Sequence, residues 1–152
     1  MLELAGRSIA EQIAIGQLHF YRREPPVLAP RSQRGPQEEL ERFQQGQRQA
    51  VLQLAALYDR AFAEVGEETA SIFAIHAMLL EDEDLVRTIT DMIQREGATA
   101  EYAVKAAGDA LAAAFGAMDS PYMRARSVDM RDISRRMLRA LLGRRPKAPL
   151  TR

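Results

Sequence analysis

A chain of 152 residues with 47% hydrophobic content is long enough for one domain with an ordinary core. The absence of cysteine excludes a disulfide framework, a thiol nucleophile and a thiolate metal site. The 21 basic and 21 acidic residues cancel overall but not locally, because residues 61–86 hold seven acids and no base while 121–147 hold nine Arg or Lys against Asp129 and Asp132. Aromatics are sparse, tryptophan is absent, and Ala, Leu, Gln, Arg and Glu predominate, a bias that predicts a mainly α protein. No stretch builds a signal-type apolar run or approaches the roughly 20 apolar residues that span a bilayer, so a soluble, cytoplasmic protein is expected.

In chain order, residues 12–21, Gln-Ile-Ala-Ile-Gly-Gln-Leu-His-Phe-Tyr, read as a strand, since β-branched and aromatic residues occur without a helical period. A single strand leaves its backbone donors and acceptors without partners, so this one is expected to complete a sheet with other polypeptide or to pair between copies of the chain. Residues 1–22 are therefore assigned to this strand segment. Pro25, Pro26, Pro30, Gly35 and Pro36 mark 23–35 as an extended linker. A long helix is expected from Pro36 to about Phe62, carrying Leu40, Phe43, Val51, Leu54, Leu57 and Ala61, interrupted at Gln47 and weakest at Gly46.

A second helix opens after Gly66 with Glu67 and Glu68 in its first turn, buries Ile72, Phe73, His76 and Leu80, and is kinked by the acids at 81–84. Its continuation, through Leu85, Val86, Ile89, Met92 and Ile93, stops at Gly97. Thr99 suits the N-cap of a third, alanine-rich helix whose small residues allow close approach. Ser120-Pro121 starts a fourth helix, bearing Met123, Met130, Ile133, Met137 and Leu141, which ends at Gly143. Four helices with short links predict a bundle over 36–143, with 144–152 as a proline-broken linker or tail.

Chemistry is thin. His76, between Phe73 and Leu80, reads as a hydrogen-bonded core histidine and has no second ligand at helical spacing. The acid cluster lacks the alternating ligands and glycine of a calcium loop, and no phosphate-binding loop or nucleophile motif occurs. No catalytic residue, metal or cofactor is assigned within this chain, and nucleic-acid binding is not expected, because the arginines of the last helix lack interleaved aromatics. The feature that stands out is residues 64–85, an apolar helical stretch free of Lys and Arg, with acids at both ends and Met78-Leu79-Leu80 beside one of them. Such a surface suits a small basic protein. The competing reading pairs these acids with the arginines of 121–147 inside the bundle.

Residues 72–85, Ile-Phe-Ala-Ile-His-Ala-Met-Leu-Leu-Glu-Asp-Glu-Asp-Leu, resemble the IFE-H-MLLED-EL signature of enzyme I, the phosphoenolpyruvate-protein phosphotransferase of the bacterial sugar phosphotransferase system. In the same order, Ile13-Ala14-Ile15-Gly16 resembles the family's first strand, residues 119–126 its D-YL-ERA entry to the last helix, and Asp129-Met130-Arg131-Asp132-Ile133 its D-RDI. The resemblance implies a helical domain that docks the phosphocarrier HPr. It also implies a separate swivelling α/β subdomain, to which the first strand belongs and which carries the phosphorylated histidine. The chain is expected to lack that histidine, to be inactive alone, and to leave phosphoenolpyruvate and magnesium to domains it does not contain. Carried across, HPr meets Glu67, Glu68, Asp82 and Asp84 at a charged rim, Ser71, Met78, Leu79 and Leu85 at an apolar centre, and Arg126 at the edge. Among these residues, a core reading competes most strongly at Leu85. A nitrogen-related branch or a multiphosphoryl transfer protein fits equally well. The alternative is a generic helical interaction or oligomerisation module with an acidic face.

Overall fold

A computed structural model describes residues 27–143; the expected strand at 12–21 and the tail at 144–152 lie outside the described residues. Within them the chain forms five helices and no strand: α1 Pro36–Val65, α2 Glu67–Leu80, α3 Glu83–Glu96, α4 Ala100–Gly116 and α5 Pro121–Leu141. The expectation of four helices with a kinked second one is corrected here. The acids at 81–84 do more than bend a helix, because Asp82 leaves helical geometry (φ −58, ψ 130) and starts a new one. Its Oδ1 accepts the backbone N–H groups of Asp84 and Leu85, each at 3.0 Å, which satisfies two of the donors that a helix start leaves without partners.

The carbonyl groups freed at the end of α2 are also met. Gln47 of α1 donates its Nε2 to the Leu80 carbonyl at 2.8 Å. The interruption in α1's apolar pattern is thus the side chain that stabilises the α2–α3 break. Gly46 next to it is buried against α5, where a Cβ would come within 2.8 Å of Leu141 Cδ2, the end of a flexible side chain.

At 30 residues α1 is about 45 Å long. Its buried positions, Glu39, Phe43, Gly46, Ala50 and Leu54, all lie in the first two thirds. Gly66, at φ +98, turns the chain directly into α2, which packs back along α1 as a hairpin. Beyond the break, α3 is strongly amphipathic, and Leu85, Ile89 and Ile93 fall on one buried stripe at four-residue spacing. Gly97, at φ +66, ends it in the left-handed conformation. Thr99 then caps α4 by accepting the Tyr102 N–H, and Ser120 caps α5 by accepting the Met123 N–H.

The second hairpin, α4 and α5, is held together by a seam of small residues. Ser127 Oγ donates to the Ala112 carbonyl at 2.7 Å, and Gly108 lies so close to α5 that a Cβ there would stand 2.8 Å from Ser134 Cβ. Met130, Ile133 and Met137 of α5 join Phe43, Leu54, Leu80 and the α3 stripe in one apolar core. None of the described helices is long and apolar enough to cross a membrane.

The described part of the linker forms neither helix nor strand, bends at 30–31 and 33–34, and is fastened to the bundle. Thr99 Oγ1 donates to the Ala29 carbonyl at 2.6 Å, and the Ser32 N–H donates to the Gly97 carbonyl at 2.8 Å. Ser32 Oγ also donates to Glu39, a buried carboxylate that takes further hydrogen bonds from Arg42 and the Ala100 N–H. Burial pushes this carboxyl up, but the Ser32 hydroxyl, the Ala100 N–H and the Arg42 guanidinium together outweigh it and hold Glu39 below the ordinary glutamate range.

Candidate docking face on α2 and α5

Helix α2 carries Ala70, Ile72, Phe73, Ile75, Ala77, Met78, Leu79 and Leu80, and is apolar around nearly its whole circumference. A helix of that composition is normally enclosed. Here only Ala70 and Leu80 are fully buried, because α1 covers one side and α5 a second, while the remainder faces outward. Met78 is 72% exposed, and Ile72 also reaches the surface. On a 3.6-residue period Glu68, Ser71, Ile75 and Met78 lie along one stripe, leading to the turn at Asp82.

Most of the residues expected to dock a partner are at least partly exposed. Glu67, Glu68 and Ser71 are exposed in the first turns of α2, with Ser71 Oγ donating to the Glu68 carbonyl. Leu79 is half-buried and packs against the core, leaving part of its side chain accessible. Asp84 is exposed and ion-paired with Arg87, a surface pair worth little to stability. Asp82 is partly exposed, but its Oδ1 is committed to the α3 cap.

Leu85 does not belong to the face. At 2% exposure it heads the buried stripe of α3, and no partner can touch it without opening the core. Of the two readings the sequence leaves open for it, the core one holds.

Among the described residues, the internal pairing of the acidic and arginine-rich segments is absent. Among the described residues, none of the seven acids in 61–86 forms an ion pair with an arginine of α5. Glu64, Glu67, Glu68, Glu81 and Glu83 sit exposed around the apolar patch.

The α5 side of the face is built differently. Arg126 is on the surface edge, its side chain only 16% exposed, ion-paired through Nη1 to Asp129 Oδ2. Its guanidinium lies 4.6 Å from the ring centre of Tyr122, in cation–π contact. Asp129 turns its other oxygen to His76 of α2, whose Nε2 lies 3.1 Å from Oδ1. His76 is thus hydrogen-bonded, as its position between Phe73 and Leu80 suggests, and the group that holds it belongs to the same cluster as Arg126. Sequence reasoning passed over Tyr122, which is 64% exposed one turn before Arg126. An aromatic four residues ahead of an arginine on a helix is the signal that would have found it.

Three comparisons bear on what such a face belongs to. The family model described as PEP-utilising enzyme, N-terminal, matches residues 5–126. The phosphoenolpyruvate-protein phosphotransferase of Bacillus sp. (strain S) is 36% identical over 137 residues, covering 89% of this chain and 24% of that protein. The Haemophilus influenzae protein of the same name is 32% identical over 142 residues, covering 92% of this chain and 25% of that protein. The chain thus spans about a quarter of the length of the curated relatives it matches. Among solved structures, the NMR solution structure of Enzyme I (nEIt) superposes with a TM-score of 0.72 at 28% identity, covering 79% of this chain and 49% of that one. The N-terminal domain of Enzyme 1 - Nitrogen gives a TM-score of 0.69 at 28% identity, covering 82% and 50%.

Proposed function

The chain belongs to the PEP-utilising enzyme N-terminal family, and from that premise we propose that its helical body is the docking module of an enzyme I-type phosphoenolpyruvate-protein phosphotransferase. In this reading an HPr-like phosphocarrier settles on the outer side of α2, the α2–α3 turn and the start of α5. The phosphoryl group reaches it from a histidine on a swivelling subdomain, and the helices supply position only.

One observation carries the proposal: α2 is apolar nearly all round yet largely uncovered, and the acids that fringe it are not neutralised by the arginines of α5. Desolvating Met78 and its neighbours supplies affinity, whereas the exposed carboxylates mainly speed the encounter with a basic partner. A relay protein must be released after each transfer, so micromolar affinity suits the task. Leu85 takes no part, and Asp82 takes part while also holding the α3 cap.

Calorimetric titration of the chain with the phosphocarrier tests this. Met78→Asp places a charge in the centre of the face at an exposed position, so the melting temperature is unchanged while affinity falls more than tenfold. Equal affinity of the wild type and this variant would contradict the assignment. Equally tight binding of an unrelated small basic protein would instead indicate a general acidic interaction module.

A further inference from the structure

We propose that Asp129, which lies beneath the docking face, is its positioning residue: it holds Arg126 in the orientation that meets the partner and ties that orientation to α2 through His76. The inference rests on the docking reading above. Asp129 is 9% exposed and uses both oxygens, Oδ2 for Arg126 of its own helix and Oδ1 for His76 at 3.1 Å across the α2–α5 interface. These are the two helices that the proposed partner must touch together.

The guanidinium is held on two sides, by the carboxylate at one N–H edge and by the Tyr122 ring against its plane, 4.6 Å away. An arginine side chain left alone samples many rotamers, and ordering it on binding costs free energy that a preorganised one has already lost in folding. Arginine has five N–H donors in a planar fork, so the ion pair to Asp129 leaves others free for a carbonyl, carboxylate or phosphoryl oxygen of the partner. A lysine here would lose the fork and the ring contact and keep only charge. Arg126 is also the cation that this cluster presents among the exposed acids of α2, which makes it the group able to fix the orientation of a partner drawn in by those acids.

A double-mutant cycle read by calorimetric titration with the phosphocarrier tests the assignment. Arg126→Gln and Asp129→Asn should each weaken binding about tenfold, and the double variant should bind no more weakly than Arg126→Gln alone, because Asp129 acts only through the arginine. Arg126→Lys, which keeps the charge beside Asp129 and should leave the fold intact, should lose as much as Arg126→Gln. It decides the matter if Asp129→Asn does not fold. The guanidinium N–H signals of Arg126 should be resolved in the wild type and should broaden in Asp129→Asn, an effect that loss of packing elsewhere would not produce. Wild-type-like affinity in Asp129→Asn, additive losses in the double variant, or full affinity in Arg126→Lys would each overturn the positioning role while leaving docking intact. Absence of binding by the wild type would overturn the docking reading itself, and this inference with it.

Discussion

Replacing Leu85 with alanine would empty an enclosed site at the head of the α3 stripe, and a destabilisation of about 2–5 kcal/mol is expected by chemical denaturation. Seven residues earlier, Met78→Ala should leave stability within about 0.5 kcal/mol of the wild type, because that side chain is already in solvent. The two residues belong to one sequence signature and lie two helical turns apart in it, yet one belongs to the core and the other to the surface. What separates them is the break at Asp82, which restarts the helical phase. Asp82→Ala removes the acceptor for two backbone N–H groups and should cost about 1 kcal/mol, whether or not the acid also meets a partner. A negligible change in the denaturation midpoint would show that the cap contributes nothing.

Helix ends were readable wherever a specific residue type is needed: Pro36 and Pro121 at first positions, Thr99 and Ser120 as caps, Gly97 in the left-handed region. The α2–α3 break was not, because a capping aspartate inside a run of four acids looks like surface charge, and its support comes from Gln47, 33 residues away along the chain. Gly46 is a related case: its propensity cost is legible in the sequence, whereas the helix packed against it is not. The seam between α4 and α5 makes the same point in measurable form. Gly108→Ala should gain about 1 kcal/mol in helix propensity, yet the added Cβ would collide with Ser134, and a net loss of about 1–3 kcal/mol is expected. A more stable variant would mean that the two helices can separate without penalty. The face on α2 was readable in composition, but its α5 border was only half visible: Arg126 stood out, whereas Asp129 and Tyr122 gain their meaning from contacts with His76 and the guanidinium.

For the molecule as a whole, the Glu39 cluster fastens the linker at 29–34 to the bundle, and it does so with a carboxylate that must stay ionised. Its folded-state pKa lies below that of the unfolded chain, so its contribution is full above the unfolded value and is lost as pH falls through the folded one. Glu39→Gln should therefore be less stable near neutrality, and its stability should depend less on pH from about pH 5 downward than that of the wild type. Parallel pH profiles for the two proteins would contradict this. The acid fringe of α2 has a different consequence at this scale: raising the salt concentration should slow association with the phosphocarrier while leaving dissociation nearly unchanged, because screened rim charge acts on encounter. The central claim, that α2 with the start of α5 is the surface that receives the carrier, is tested most directly by titrating isotope-labelled chain with unlabelled phosphocarrier and following its amide resonances. The account predicts shifts concentrated at 67–82 and 122–126, with the outer faces of α1 and α4 unmoved. Shifts spread over α1 or α4 and absent from α2, or none at millimolar carrier, would contradict it.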